Sequence, residues 1–285
     1  MGSASLPPRR AGYALLAVLW ICVGIAALTF LISAAGRGAI APARNRIALT
    51  AASWNAEACL AHARAVLADA LMEQALTHRP AAGEAWNRLD RLLTATPAPR
   101  AFGCELSLRA VGSRLDVNAS DTATLARLFL EMGMRTGQAD SAAAALSAAR
   151  PFVDTRQLHP LPQLESTPAL DGVLDVEPGP IALNHAPAEV LALLPGFTEE
   201  TVQRVIDARR RDAPITTFGE LSELLSPEVP DASARLPALV VFEPTAWVLA
   251  ARSTVGQPPV AVVVEARLAR SGGSAAVVRR RSWIQ

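Results

Sequence analysis

Lysine is absent from this 285-residue chain, and all 27 of its cationic side chains are arginine. With alanine so abundant, this reflects the base composition of a GC-rich coding sequence rather than an arginine-specific chemistry. Net charge is +1, which removes any whole-chain electrostatic argument for nucleic acid or an anionic surface. The four histidines, His62, His78, His159 and His185, are scattered, and none has a second His or Cys at metal-ligand spacing. There is no glycine-rich phosphate loop and no nucleophile motif, so the sequence does not describe an enzyme. Cysteine is scarce: Cys22 lies in an apolar run, and Cys59 and Cys104 are too few to define a disulfide framework. An oxidising compartment would permit the two to pair, and the sequence leaves that open.

The first acidic residue is Glu57, and before it stands a long apolar run. Tyr13 to Ala35 is uncharged and would be about 34 Å long as a helix, enough for a hydrocarbon core of roughly 30 Å. A removable signal peptide has a shorter apolar stretch of about 7–15 residues and a small-x-small cleavage site, for which Ser33-Ala34-Ala35 is a candidate. Arg9 and Arg10 precede the span, and Arg37, Arg44 and Arg46 follow it. The close Arg9-Arg10 pair and the large polar remainder place the N-terminus in the cytoplasm and the rest outside.

Beyond the span, Ala43 to His78 has no Gly or Pro and predicts a long stalk helix. Its apolar stripe is expected along Ile47, Ala51, Trp54, Ala58, Ala61, Ala65, Ala68, Met72 and Ala75, suited to close packing on a sheet or another helix. Gly36, Gly38 and Pro42 predict a kink or local melting between span and stalk. A short helical piece follows in 79–100, then an alternating strand in FGCELSLRAV. The last fifty residues are β-branched: LVVF (239–242), AWVLAAR (246–252), VAVVVEARLAR (260–270) and AVVRRRSWI (276–284) predict an antiparallel meander. Ser271-Gly272-Gly273-Ser274 would close its last hairpin. Such a meander needs the stalk helix across one face.

Between strand and meander the chain predicts short helices and an internal repeat. Leu115, Asn118, Leu125 and Leu128 are matched by Ile181, Asn184, Leu191 and Leu194, and Phe152 and Leu158 by Phe218 and Leu224, all at an offset of 66. Thr217-Phe-Gly-Glu220 has capping-box spacing. IALNHAPAEVLALLPGFTEETVQRVIDARRR (181–211) resembles a helix-hairpin-helix, with the turn at Leu194-Pro195-Gly196-Phe197. In DNA-binding versions, hairpin N–H groups contact phosphate, and Arg209, Arg210 and Arg211 would supply the supporting charge. Against this, Thr198 stands where a second glycine is usual, and Glu199 and Glu200 place negative charge where phosphate would sit. A partner-contact or folding module is the expected role.

Arg10-Ala11-Gly12-Tyr13 resembles a prepilin-type junction, in which a short basic leader is cut after the glycine and the apolar helix is retained. Gly12 and Tyr13 would then be the processing residues. Leader, span, stalk, the LDVN and IALNHAPAEVLALLPGF segments and the C-terminal meander together resemble the K-type minor pseudopilin of type II secretion systems, over nearly the whole chain.

That resemblance implies an α+β fold: a long transmembrane and stalk helix packed on a small antiparallel sheet, with a large inserted α-helical domain of two SAM- or helix-hairpin-helix-like repeats. The boundaries are a leader at 1–12, a span at 13–35 and the first part of the pilin-like domain at 36–112. The insert follows at 113–232 (repeats at about 113–165 and 179–230), and the C-terminal sheet at 233–285. It also implies a non-enzymatic subunit in the bacterial inner membrane, with its globular part in the periplasm at the tip of a short pseudopilus. Its partners would be I- and J-type minor pseudopilins, other pseudopilins and the prepilin peptidase.

Most pilin-like subunits carry a glutamate five residues into the mature chain, which neutralises a neighbour's terminal amine within the membrane. Here that position is Ala17. An unpaired charge in lipid costs several kcal/mol by rough estimate, so a subunit lacking the carboxylate belongs first in the fibre. No cofactor is required by this reading. The family implies calcium sites, for which Asp171, Asp175 and Glu177 are the nearest approach to an acidic cluster. The competing reading is a membrane-anchored helix-hairpin-helix receptor for DNA, which neutral charge and the altered hairpin disfavour.

Overall fold

The computed structural model describes residues 11–77, 84–164, 170–225, 232–271 and 274–285. Leader residues 1–10, with Arg9 and Arg10, lie outside these, as do Gly272 and Gly273 of the expected turn.

Helix α1 (Ala11–Thr77) carries both span and stalk in one 67-residue element. The local melting expected as one outcome at Gly36, Gly38 and Pro42 does not occur: Pro42 lies inside a helix that continues through it. One proline removes a single backbone donor, and strong helix formers on both sides maintain the register. The buried side of the stalk is Ala48, Ala52, Ala56, Cys59, Leu60, Ala63, Leu67 and Leu71. The predicted stripe lies elsewhere, with Ile47, Trp54 and Met72 70, 71 and 56% exposed.

Two short helices, α2 (Glu84–Asn87) and α3 (Leu89–Ala95), lead into β1 (Cys104–Ala110). The chain then leaves the sheet through β2 (Leu115–Asp116), α4 (Thr122–Glu131), α5 (Thr136–Ala149), α6 (Leu170–Val173) and β3 (Leu174–Asp175). It continues through β4 (Ile181–Ala182), α7 (Ala188–Leu191), α8 (Glu199–Arg210), α9 (Phe218–Leu224), α10 (Ala232–Leu239) and β5 (Val240–Val241). It returns as β6 (Ala246–Val255), β7 (Val260–Ser271) and β8 (Ser274–Ile284).

The main sheet has the order β1-β6-β7-β8 with every pair antiparallel, and Ser271 pairs with Ser274 as the hairpin signal predicts. Because strand side chains alternate, one face is Trp247, Leu249, Ala251, Val262, Val264, Ala266 and Leu268, all packed on α1. LVVF is a correction. Its Val240–Val241 pairs with β4, parallel, inside the insert and not in the meander. Helix α10 precedes it there, so the insert runs on to about residue 245 rather than ending at 232.

The insert has its own core, built on Leu125, Leu128, Phe129, Leu146, Leu174, Leu183, Leu191 and Leu221, among others. Its two halves use matching ties. Leu115 pairs with Leu174 and Ile181 with Val240, both parallel and 66 positions apart in the chain. Asn118 donates to and accepts from the backbone of Phe152 (both 2.8 Å), while Asn184 does the same with Ile215 (2.7 and 3.2 Å) and also donates to Phe242 O. Each asparagine thereby satisfies backbone groups of a distant turn. Helix α4 is capped by Asp121, whose carboxylate accepts from Thr124 N at 2.6 Å. Thr217 caps α9, but Glu220 reaches back to Thr216 N (2.8 Å), one residue before the expected box partner.

The insert departs from Ala110 and rejoins at Ala246, beside the Ala110↔Trp247 pair. Its base is tight. Gly112 has φ +84°, and a Cβ there would stand 2.0 Å from Pro180 O, where the chain crosses between the two halves. Gly256, at the other end of β6, has φ +94°, and a Cβ there would stand 2.8 Å from Ala48 Cβ. Cys59 and Cys104 form a disulfide midway. Trp86, just beyond α1, donates to Pro244 O (2.7 Å), and Trp247 donates to Trp86 O (2.9 Å). The β1–β6 ladder therefore climbs along α1 away from the apolar segment Tyr13–Ala34, and the insert sits at the opposite end.

Candidate functional site

Three regions qualify. The first is the apolar N-terminal end of α1. Tyr13–Ala34 is apolar and long enough to cross a membrane, and all of it is exposed. Tyr13 is 83% exposed, and Ala17 lies one turn further along the same side. Gly12 falls within the first residues of the helix.

The second is the hairpin before α8. Gly196 has φ +79° at the turn, and Thr198 caps α8 by accepting from Thr201 N at 3.2 Å. Glu199 and Glu200 stand exposed at this end, and Glu200 pairs with Arg204. The arginines are at the opposite end of the 12-residue helix, about 18 Å away. Gly196 and Arg209–Arg211 are thus not brought together. Arg209 turns inward, donating to the carbonyls of Ala186 (2.6 Å) and Leu183. Burial pulls its pKa down to about 10, still charged at neutral pH. Arg210 lies near Asp207 at 3.5 Å, and Arg211 is exposed. Asp212 accepts from Arg88 (3.2 Å) and Arg91 (2.7 Å), tying the end of α8 to the α2–α3 region. Beside this contact, His185 packs edge-on against Trp247 with ring centroids 5.0 Å apart, and burial lowers its pKa to about 4.

The third region has no local sequence signal. The sheet face turned away from α1 carries Arg109 on β1, Glu265 and Arg267 on β7, and Arg279, Arg281 and Trp283 on β8. The insert sets Asp154, Arg156, Asp175 and Glu177 against it. Arg109 pairs with Asp175 and lies 3.7 Å from Glu265. Glu177, fully buried, pairs with Arg279 and with Arg267 at 3.4 Å. Arg281 bridges Glu265 (2.6 Å) and Asp154 (3.5 Å). Arg156 binds Asp154 at 2.7 Å and lies 4.4 Å from the centre of the Trp283 ring.

Strand alternation sorts the Arg279-Arg280-Arg281 run: the outer two face the insert, while Arg280 faces α1 and pairs with Glu57. Burial lowers the Arg109 pKa to about 10, with Glu265 opposing, so the side chain stays charged. The Arg156 hydrogen bond, against the opposing effect of burial, holds the Asp154 pKa down at about 2. What this arrangement does chemically is fix the orientation of the insert on the sheet.

The same pairing bears on calcium. Asp175 and Glu177 are committed to arginines, and Asp171 stands 3.3 Å from His159. Among the described residues no three His, Cys, Asp or Glu side chains gather to hold a metal.

No family model matches the chain, and no curated protein does. A solved chain is similar in structure, at 13% sequence identity and a TM-score of 0.44, over 63% of this chain and 79% of that one. It comes from the crystal structure of the GspK–GspI–GspJ complex of the enterotoxigenic Escherichia coli type 2 secretion system.

Proposed function

We propose that this protein is a minor pseudopilin of K type, a structural and non-enzymatic subunit that occupies the tip of a type II secretion pseudopilus. It initiates assembly with I- and J-type partners and supports export of folded proteins through the outer membrane. The prepilin peptidase removes Met1–Gly12, Tyr13 becomes the mature N-terminus, and the span stays in the inner membrane with the globular part in the periplasm. The insert is a duplicated unit, its two copies matched by the Asn118 and Asn184 ties and the paired strands. No cofactor is needed for this role.

The observation that carries the reading is positional. The insert projects from the membrane-distal end of the pilin-like sheet, where a further subunit above would have to pack. At the other end Ala17 offers no carboxylate to a subunit stacked above it. Both features suit a first position and neither suits a place in the shaft.

The test is the N-terminus of the full-length chain, measured by mass spectrometry after co-expression with and without a prepilin peptidase. A peptidase-dependent start at Tyr13, together with lost secretion on deletion of the gene, is expected. An intact start at Met1 or Gly2 despite active peptidase, or a cut near Ala35, would overturn the assignment.

A further inference from the structure

The main sheet ends in two outer strands, and their edges differ. Strand β8 carries Arg279, Arg280 and Arg281 in a row, and its register with β7 shifts between Arg267 and Leu268. Charge and a bulge both discourage the addition of a further strand. Strand β1 has no such break: it pairs with β6 in continuous register from Cys104 to Ala110. Its one arginine, Arg109, is engaged by Asp175.

The alternation of an antiparallel ladder shows which backbone groups of β1 are free. Val111 donates to Ala246 O at 2.8 Å, which makes these two a hydrogen-bonded pair. Counting back two residues at a time, the backbones of Arg109, Ser107 and Glu105 face β6, and those of Cys104, Leu106 and Leu108 face outwards. Among the described residues, no backbone group bonds to the outward N–H and C=O groups of Leu106 and Leu108. They border a groove of about 410 Å³ whose far wall is Leu93 and Thr94 of α3 with Pro97 and Ala98 of the following turn. Helix α3 packs on α1, so the helix layer continues past the edge of the sheet.

Free donors and acceptors repeating along a line are matched by an extended backbone, whereas a helix has used its own internally. A second copy of this chain would bring a sheet covered by α1 on one face and by the insert on the other, too thick for a groove walled by α3. A single strand fits. Five residues along Cys104–Leu108 span about 17 Å. Residues opposite Leu106 and Leu108 would share their face, which packs into the core beneath α1, and are therefore apolar. A residue opposite Glu105, whose side chain is 82% exposed, lies on the other face and is basic. Asp90, the one charged side chain among the described lining residues, adds to the same preference.

We propose that the outer edge of β1 is a docking site for one extended segment of another protein. It adds antiparallel as a fifth strand, with apolar residues at alternate positions and a basic residue opposite Glu105. The inference needs only the sheet and α3, and it stands apart from the proposed function.

The probe is the peptide acetyl-Val-Thr-Val-Arg-Val-amide, fluorescently labelled and titrated against the full-length chain in detergent micelles by anisotropy. Its valines fall opposite Leu108, Leu106 and Cys104, and its arginine opposite Glu105. Saturable binding is expected. N-methylation of the central valine, whose N–H points at Leu106 O, should weaken binding by about tenfold or more, while N-methylation of the threonine, whose N–H points to solvent, should change it by less than about twofold. Glu105→Arg should weaken binding by about threefold or more, and a peptide with glutamate in place of its arginine should recover it. No binding at millimolar peptide, equal loss from both N-methylations, or indifference to the charge reversal would overturn the proposal. So would a dimer of the chain alone that Glu105→Arg dissociates, which would assign the edge to a second copy.

Discussion

Replacing Glu177 with glutamine should loosen the insert from the sheet more than any change to an exposed ion pair. The carboxylate has no exposed surface and faces Arg279 and Arg267, whose side chains are 41 and 23% exposed. Removing one partner of a buried pair typically costs about 3–5 kcal/mol, because the remaining charge is left desolvated. Here both guanidiniums have a partial route to water, so the lower end, about 3 kcal/mol, is expected. For a domain of this size that corresponds to a drop of about 6–12 °C in Tm. Glu105→Gln is the control: that carboxylate is 82% exposed and 3.9 Å from Arg252, and its loss should cost no more than about 0.5 kcal/mol.

Thermal unfolding of the detergent-solubilised chain, followed by circular dichroism, gives both numbers. A double-mutant cycle with Arg279→Gln should return a coupling above about 1 kcal/mol. A Glu177→Gln shift no larger than that of Glu105→Gln, or a coupling near zero, would refute the claim that this cluster holds the insert in place.

Three further outcomes are expected. His185 is buried in its neutral form, with its pKa lowered from 6.5 to about 4, so the unfolded chain binds more protons between these values. Its contribution is complete above pH 6.5 and falls away as pH drops towards 4. A loss of about 3 kcal/mol should appear in Tm measured against pH, and His185→Phe should flatten that slope. The Cys59–Cys104 bridge spans 45 residues, and opening it should cost about 4 kcal/mol, read from denaturant midpoints with and without reductant. Thiol titration of the oxidised chain should find Cys22 alone. Gly112→Ala places a methyl 2.0 Å from Pro180 O at φ +84° and should cost at least about 2 kcal/mol in Tm-derived stability. Gly137→Ala in α5, with open space around it, should be neutral or mildly stabilising.

What could be read from the sequence was local, and what was missed was pairing. The stalk, β1, the β7–β8 hairpin and the cap at Thr217 follow from composition and turn chemistry within a few residues. The 66-residue offset was legible because Asn118 and Asn184 are rare residues, and each makes the same kind of tie. The apolar stripe was assigned to the wrong side because alanine makes α1 apolar on two sides. Periodicity finds both lines, and Ile47, Trp54 and Met72 drew the choice to the outward one. LVVF carries a true strand signal, but its partner Ile181–Ala182 lies nearly sixty residues away, beyond what a β-branched run can specify. The Arg209–Arg211 run looked like one charged patch, yet helical rotation sends its members in different directions. Nothing in the neighbourhood of Asp175 or Glu177 announces that arginines from β1, β7 and β8 will meet them. Their spacing is that of an ordinary solvated loop, and the fold instead sets guanidinium groups against them.

The manner of insertion explains how so large an addition leaves the sheet intact. β1 and β6 are already hydrogen-bonded neighbours, so the chain between Ala110 and Ala246 needs only closely spaced ends, as at the tip of a hairpin. Each half of the insert meets the same condition internally, through Leu115 beside Leu174 and Ile181 beside Val240. Closely spaced ends alone would leave the insert free to swing about its base. The Asp175 and Glu177 pairs remove that freedom, because they lie just before the crossing at Pro180 and reach across three strands of the sheet. Asp212 adds a second anchor on the α2–α3 side. A body fixed at two points on the distal end of a rigid stalk passes a load applied there directly to α1. If the distal surface is where cargo is met, loss of the Glu177 cluster should impair export even in chains that remain folded and correctly processed.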